Sequence, residues 1–258
     1  MKKATVLTKI LCKGILPIVV PDTLPPMKCL EALMKSGVEA VEVSCRNPKA
    51  GEIIKEGKKE FPEMAIGAAS LIEDGLYRKH LVNCGNVVPT IDEMIELGSD
   101  FLVSLLPFRA KTYEKYSKEY VIISGVATAG EAQQALDFGA NFVKFVNLKL
   151  SGGPDYFKGI DPASHRGFPF FVSGGMTPDN IPGYVEAKVL VFGAGFDMIL
   201  NKDYESMKKN FDGKVLLKGI KAYVDAIAAA RRIYMKNVPF ESRDIKAIIK
   251  ASGRCLNV

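Results

Sequence analysis

Runs of six to eight mostly apolar residues recur along this chain, separated by segments of amphipathic spacing. The runs occupy residues 14–20, 38–45, 64–70, 101–106, 120–127, 142–147, 169–175 and 189–195. Most are apolar throughout rather than alternating, which is the pattern of parallel strands covered on both faces. Between the first two, Met27, Leu30, Leu33 and Met34 fall at helical spacing over residues 26–35. Thr128-Ala129-Gly130-Glu131 is a capping-box pattern and predicts a helix that ends near Gly139. Thr177-Pro178-Asp179-Asn180 predicts a further helix start, with Thr177 as the cap and proline at the first helical position. Strand followed by helix eight times in 258 residues predicts an α/β protein, a single-domain (β/α)8 TIM barrel. The alternative is an open doubly wound sheet. That fold wants a glycine-rich first turn, and Ile15-Leu16-Pro17-Ile18 leads into none.

The expected barrel spans residues 1–235, and two parts exceed a minimal one. Residues 73–89 form an insertion after the third run, containing Tyr77-Arg78-Lys79-His80 and Cys84-Gly85-Asn86. A connection of this length serves function or an interface more often than it merely links elements. Residues 236–258 form a C-terminal helical extension. Pro239-Phe240-Glu241-Ser242 marks a break before a short helix bearing Ile245, Ile248 and Ile249, which packs on the barrel or on a neighbouring subunit.

Composition narrows the class. The five cysteines are scattered without a Cys-x-x-Cys pair, and there are only two histidines. A disulfide framework or a cysteine metal site is therefore not expected, and the odd count suits a reducing, cytoplasmic compartment. Lys9 and Lys13 interrupt the apolar run behind the basic start, so no signal peptide is expected. No stretch approaches the ~20 apolar residues of a membrane span. The net charge is +6, but Lys208-Lys209 and Arg231-Arg232 carry no interleaved aromatics, so they read as solvated helix faces rather than a nucleic-acid surface. A modest positive excess also suits an anionic small-molecule substrate.

The chemistry centres on Lys144, in the middle of Asn141-Phe142-Val143-Lys144-Phe145-Val146-Asn147. Burial there disfavours the ammonium, and a neutral amine can attack a carbonyl to form an imine. A lysine that snorkels to solvent, or one paired with a buried carboxylate, is the alternative. In a TIM barrel the active site lies at the carboxyl ends of the strands. There the second run carries Glu42, with Arg46 at its end, four apart and so on one face of an ideal strand. Here too a structural ion pair is the alternative to a working one. The third run ends in Gly67-Ala68-Ala69-Ser70 and the fifth in Ser124-Gly125-Val126-Ala127-Thr128. The seventh ends in Ser173-Gly174-Gly175 and the eighth in Gly193-Ala194-Gly195. Glycine turns after strands seven and eight are where many barrels cradle phosphate on backbone N–H groups. Cys45 reads as a packed strand residue, and His80 and His165 as surface residues. Arg109 reaches either an anionic substrate or solvent.

Taken in order, Val-Glu-Val-x-x-Arg, Gly-Ala-x-Ser, Gly-Val-x-Thr, Phe-x-Lys-Phe, Ser-Gly-Gly-x-x-Pro-x-Asn and a closing Gly-x-Gly resemble the 2-keto-3-deoxy-6-phosphogluconate aldolase family, which includes the 4-hydroxy-2-oxoglutarate aldolases. The resemblance runs from about Gly14 to Phe196. It implies a trimeric (β/α)8 class I aldolase that needs no metal and no cofactor beyond a covalent lysine imine. It would cleave a 2-keto-4-hydroxy acid, such as a 2-keto-3-deoxy-6-phosphosugar acid, to pyruvate and an aldehyde. Lys144 would be the imine lysine and Glu42 the general acid/base. Arg46 and Ser70 would hold the carboxylate, Thr128 would contribute to substrate binding, and Ser173, Gly174, Gly175, Gly193 and Gly195 would line the phosphate site.

Four positions at the mouth depart from the family pattern. Phe145-Val146-Asn147 stands for Phe-Phe-Pro, Ser104-Leu105-Leu106 for Ser-Pro-Gly, Ser124 for proline, and Gly195 for a serine that helps bind phosphate. Phe196 is expected to pack over the phosphate turn, and Lys149 either faces solvent or replaces lost phosphate contacts. Two competing readings share the barrel. One is a phosphate-sugar isomerase or synthase without an imine. The other is a non-catalytic ligand-binding relative.

Overall fold

Each of the eight apolar runs forms a strand in the computed structural model, which describes all residues except 21–23, 147 and 149–151. The strands are β1 (Ile15–Val19), β2 (Ala40–Ser44), β3 (Ala65–Ala69), β4 (Phe101–Val103), β5 (Val121–Gly125), β6 (Phe142–Val146), β7 (Phe170–Ser173) and β8 (Val191–Gly195). Each pairs in parallel with the next, and β1 also pairs with β8, so the sheet closes. The fold is therefore the expected (β/α)8 TIM barrel, a single domain. The helices are α1 (Lys3–Lys13), α2 (Pro26–Lys35), α3 (Ala50–Glu60), α4 (Leu76–Asn83), α5 (Ile91–Glu96), α6 (Ala110–Tyr116), α7 (Ala129–Phe138), α8 (Pro154–Ala163), α9 (Ile181–Glu186), α10 (Phe196–Leu200), α11 (Tyr204–Lys209), α12 (Gly213–Tyr234) and α13 (Ile245–Ser252).

The capping box predicted at Thr128 forms: Thr128 Oγ1 accepts from Glu131 N, and Glu131 Oε2 accepts from Thr128 N and Ala127 N. The predicted cap at Thr177 does not. Asn180 Oδ1 accepts from Thr177 N while its Nδ2 donates to Gly175 O, and this side-chain brace delays α9 to Ile181. The fourth strand is also shorter than its apolar run. Ser104 Oγ donates to Leu71 O and accepts from Leu106 N, which turns the chain and leaves Leu105 and Leu106 exposed. The turn runs so close over Gly125 that a Cβ there would collide with the Leu105 backbone.

Helix α1 is an element that the hydrophobic pattern leaves unmarked. It contacts β1, β2 and β5 and buries Val6, Leu7, Ile10 and Leu11 completely, so it packs across the barrel end remote from the site. Lys9, which breaks its apolar run, is nearly buried and pairs with Glu39 at 3.4 Å. The helix ends at Gly14, which takes the left-handed conformation (φ 69°). Arg231 of α12 binds this corner. Its Nη1 donates to Leu11 O and Cys12 O, its Nη2 donates to Leu190 O, and the guanidinium stacks on Phe240 at 3.7 Å.

The C-terminal segment packs on its own barrel. Arg254 and Asp161, both buried, form an ion pair, Cys255 N donates to Gly167 O, and Asn257 Nδ2 donates to Ala140 O. The insertion contains α4, none of whose residues is buried. Within it Arg78 donates to Val88 O, and from outside Arg109 donates to Asp74 O and, through its backbone, to Glu73. Arg109 itself is exposed.

Candidate active site

Lys144 lies at the centre of β6 and is 6% exposed; Glu42 lies at the centre of β2 and is 1% exposed. The strands are not neighbours in the sheet, so the two side chains meet across the lumen. Lys144 Nζ donates to both Glu42 oxygens at 2.9 Å. The ammonium also sits 4.7 Å from the centre of the Phe171 ring of β7, where the ring face favours positive charge. Burial pushes the Glu42 carboxyl above the usual range, opposed by the charge and hydrogen bonds of Lys144. A buried carboxylate of raised proton affinity beside an amine is equipped to pass a proton back and forth.

One consequence is a pH profile. Glu42 must be ionised to accept a proton, and its pKa lies above the ordinary ~4.3. The acid limb of log kcat/KM should therefore fall at higher pH than an exposed glutamate would give. Glu42→Gln should abolish that limb and lower kcat about 10²–10⁴-fold. A limb that persists unchanged in the variant would assign it to another group.

At the mouth, β2 ends at Ser44, so Arg46 stands in the following turn rather than on the strand face that the spacing suggests. Its side chain still returns to that face: Nε donates to Ser44 Oγ at 3.0 Å. Ser44 Oγ lies 3.2 Å from Ser70 Oγ. Ser70 follows β3 in the left-handed conformation (φ 59°), a strained choice for a residue with a Cβ. The strain turns its hydroxyl toward Ser44. Arg46, Ser44 and Ser70 thus form one polar corner two residues above Glu42. Ser44 escaped the sequence reading, although its even spacing from Glu42 was a usable sign.

Across the mouth, Gly174 and Gly175 follow β7 with φ of 86° each, and Asn180 braces the turn they make. Ser173 is buried, and Gly193 on β8 pairs with it in register. A Cβ at Gly193 would come within 3.0 Å of the Phe171 ring, so this glycine makes room for the ring that contacts Lys144. Gly195 ends β8, and Phe196 after it is buried. Thr128 reaches the mouth end of β5, but its hydroxyl is taken up as the α7 cap. Cys45 is buried, as expected. His80 and His165 are exposed. Asn147 and Lys149 lie outside the described residues. Among the described residues, no group of three His, Cys, Asp or Glu side chains is placed to hold a metal ion.

A profile of the family described as KDPG and KHG aldolase matches residues 7–212, well over half of the chain. The chain belongs to this family. Aldolases are lyases, and this family member is one. It is 28% identical over 175 residues to the 2-dehydro-3-deoxy-phosphogluconate aldolase of Zymomonas mobilis, a match covering 67% of this chain and 76% of that relative. It is 27% identical over 187 residues to the KHG/KDPG aldolase of Escherichia coli, covering 69% and 79%. Among solved structures it resembles that of the 2-keto-3-deoxy-6-phosphogluconate aldolase from Zymomonas mobilis with a TM-score of 0.64 at 23% identity, covering 85% of this chain and 96% of that one.

Proposed function

We propose that this aldolase works through an imine on Lys144, with Glu42 as its general acid/base. The observation that carries this is the Lys144 ammonium bound at 2.9 Å to both oxygens of Glu42 inside the barrel. Proton transfer within the pair leaves a neutral amine, which adds to the C2 ketone of a 2-keto-4-hydroxy acid. Protonated Glu42 gives its proton to the C2 oxygen, and water leaves as the iminium forms. The ionised Glu42 then takes the C4 hydroxyl proton, the C3–C4 bond breaks, and its electron pair moves into the iminium to give an enamine. An aldehyde departs. Glu42 returns the proton to C3, water adds to C2, and pyruvate leaves with Lys144 restored.

The polar corner of Arg46, Ser44 and Ser70 receives the substrate carboxylate; a guanidinium suits that group, and fixing it aligns C2 for attack. Ser173, Gly174 and Gly175 line the far wall, where the aldehyde half lies. The 2-keto-3-deoxy-6-phosphosugar acids for which the relatives are named belong to this substrate class. We further infer a chain that needs no metal or cofactor, acts in the cytoplasm and assembles as a homotrimer, from its family and its scattered thiols. In the described residues no helix is long and apolar enough to cross a membrane.

A coupled assay of pyruvate release from 2-keto-4-hydroxy acids tests the reading. The expected rate is unchanged by a metal chelator. Loss of activity on chelation, restored by a divalent cation, would mean that a Lewis acid rather than an imine holds the electrons.

A further inference from the structure

The turn after β8 carries an acid that the mechanism above does not use. Asp197 lies in the first turn of α10, exposed at the mouth. An acid in that place commonly does no more than complement the helix dipole. Here its side chain folds back over the end of β8. The carboxylate Oδ1 fills the space where a Cβ on Gly195 would stand, so the side chain absent at 195 is replaced by a negative charge. Among the described residues no cation pairs with it.

Its field also reaches the opposite turn. Tyr223 donates to Met176 O at 2.7 Å, directly after Gly174 and Gly175. Burial pushes the Tyr223 hydroxyl up to about 12, and the charge of Asp197 adds to that rise. The hydroxyl that braces the turn after Gly174 and Gly175 therefore feels the carboxylate beside Gly195.

The distance from the reacting centre suits the far end of a substrate. Phe171 touches the Lys144 ammonium on one side and lies against Gly193 on the other. Gly195 is two residues further toward the mouth, about 7 Å along the strand. An extended chain from C2 to C6 of a keto acid spans roughly 5 Å. The C6 end of a substrate that extends from Lys144 toward β8 thus lies on the length scale of the step to Gly195 and Asp197.

We infer that Asp197 is a specificity-determining residue. It offers the far end of the substrate a hydrogen-bond acceptor and repels a dianion, favouring a hydroxyl-terminated aldehyde half over a phosphorylated one. The inference rests on the aldolase reading. Its consequence is that the enzyme cleaves an unphosphorylated 2-keto-3-deoxy sugar acid with a kcat/KM at least equal to that for the 6-phosphate.

The test compares both substrates with wild type, Asp197→Asn and Asp197→Ser. A partly screened charge this close to a phosphate should shift the ratio about tenfold. Either substitution should raise kcat/KM for the 6-phosphate relative to the unphosphorylated acid by about that factor, mainly through KM. A wild-type preference for the phosphate, or a ratio unmoved by both substitutions, would overturn the inference. Inorganic phosphate binding, measured by calorimetry on wild type and Asp197→Asn, needs no turnover. It should tighten several-fold in the variant, and equal affinities would overturn the role of Asp197 whatever the reaction. Failure of the aldolase reading itself looks different: neither sugar acid yields pyruvate, while the phosphate affinities still diverge.

Discussion

Lys144→Arg is expected to abolish aldol cleavage, lowering kcat by on the order of 10⁴–10⁶, as loss of a covalent nucleophile does elsewhere. The variant isolates chemistry from charge. Arginine keeps the positive partner for Glu42, so no uncompensated carboxylate is left in the lumen. A guanidinium does not give up its proton in a protein, so it forms no imine. Circular dichroism and the pyruvate-release assay should therefore separate, with the barrel present and turnover gone. A variant retaining a tenth of wild-type pyruvate release would mean that cleavage proceeds without an amine at position 144.

The largest effect on stability is expected far from the chemistry, at Arg231. Its two Nη groups satisfy the carbonyls of Leu11, Cys12 and Leu190, which join the end of α1 and the start of β8 to α12. Arg231→Met fills similar volume with no donor. Buried acceptors left without partners cost about 1–3 kcal/mol each, and partial repair by water makes about 3–5 kcal/mol a reasonable total. Against a typical stability of about 5–15 kcal/mol this is a large fraction. The urea midpoint should fall with the slope preserved. A change below about 0.5 kcal/mol would mean that these carbonyls find other donors easily. Arg231→Lys should recover only part of the loss, because one ammonium does not span carbonyls from two separate segments.

The barrel was legible because its strands are buried on both faces, which writes them as unbroken apolar runs bounded by turn residues. The capping box at Thr128 was legible for a similar reason: both halves of the interaction lie within four residues. What escaped depends on partners distant in sequence. Helix α1 is interrupted by Lys9, and only the fold brings Glu39 to that lysine. The end of β4 is set by the bond from Ser104 to Leu71, 33 residues away. Helix α4 buries none of its residues, so no apolar period announced it.

The candidate site divides along the same line. Lys144 and Glu42 were conspicuous as charges inside apolar strands, and the structure joins them. Arg46 was found at the end of the second run; the strand stops two residues earlier, at Ser44, and the side chain reaches the face of Glu42 through its bond to Ser44. Ser44, Phe171 and Asp197 were passed over as ordinary strand and turn residues. Each matters only through a contact across the barrel or, for Asp197, through a side chain that Gly195 lacks.

The central claim is a covalent imine on Lys144, and borohydride reduction in the presence of pyruvate tests it most directly. Peptide mapping by mass spectrometry should find the reduced pyruvyl adduct on the peptide containing Lys144 in wild type and none in Lys144→Arg. Rapid release of pyruvate from a keto acid without any adduct on Lys144 would contradict it.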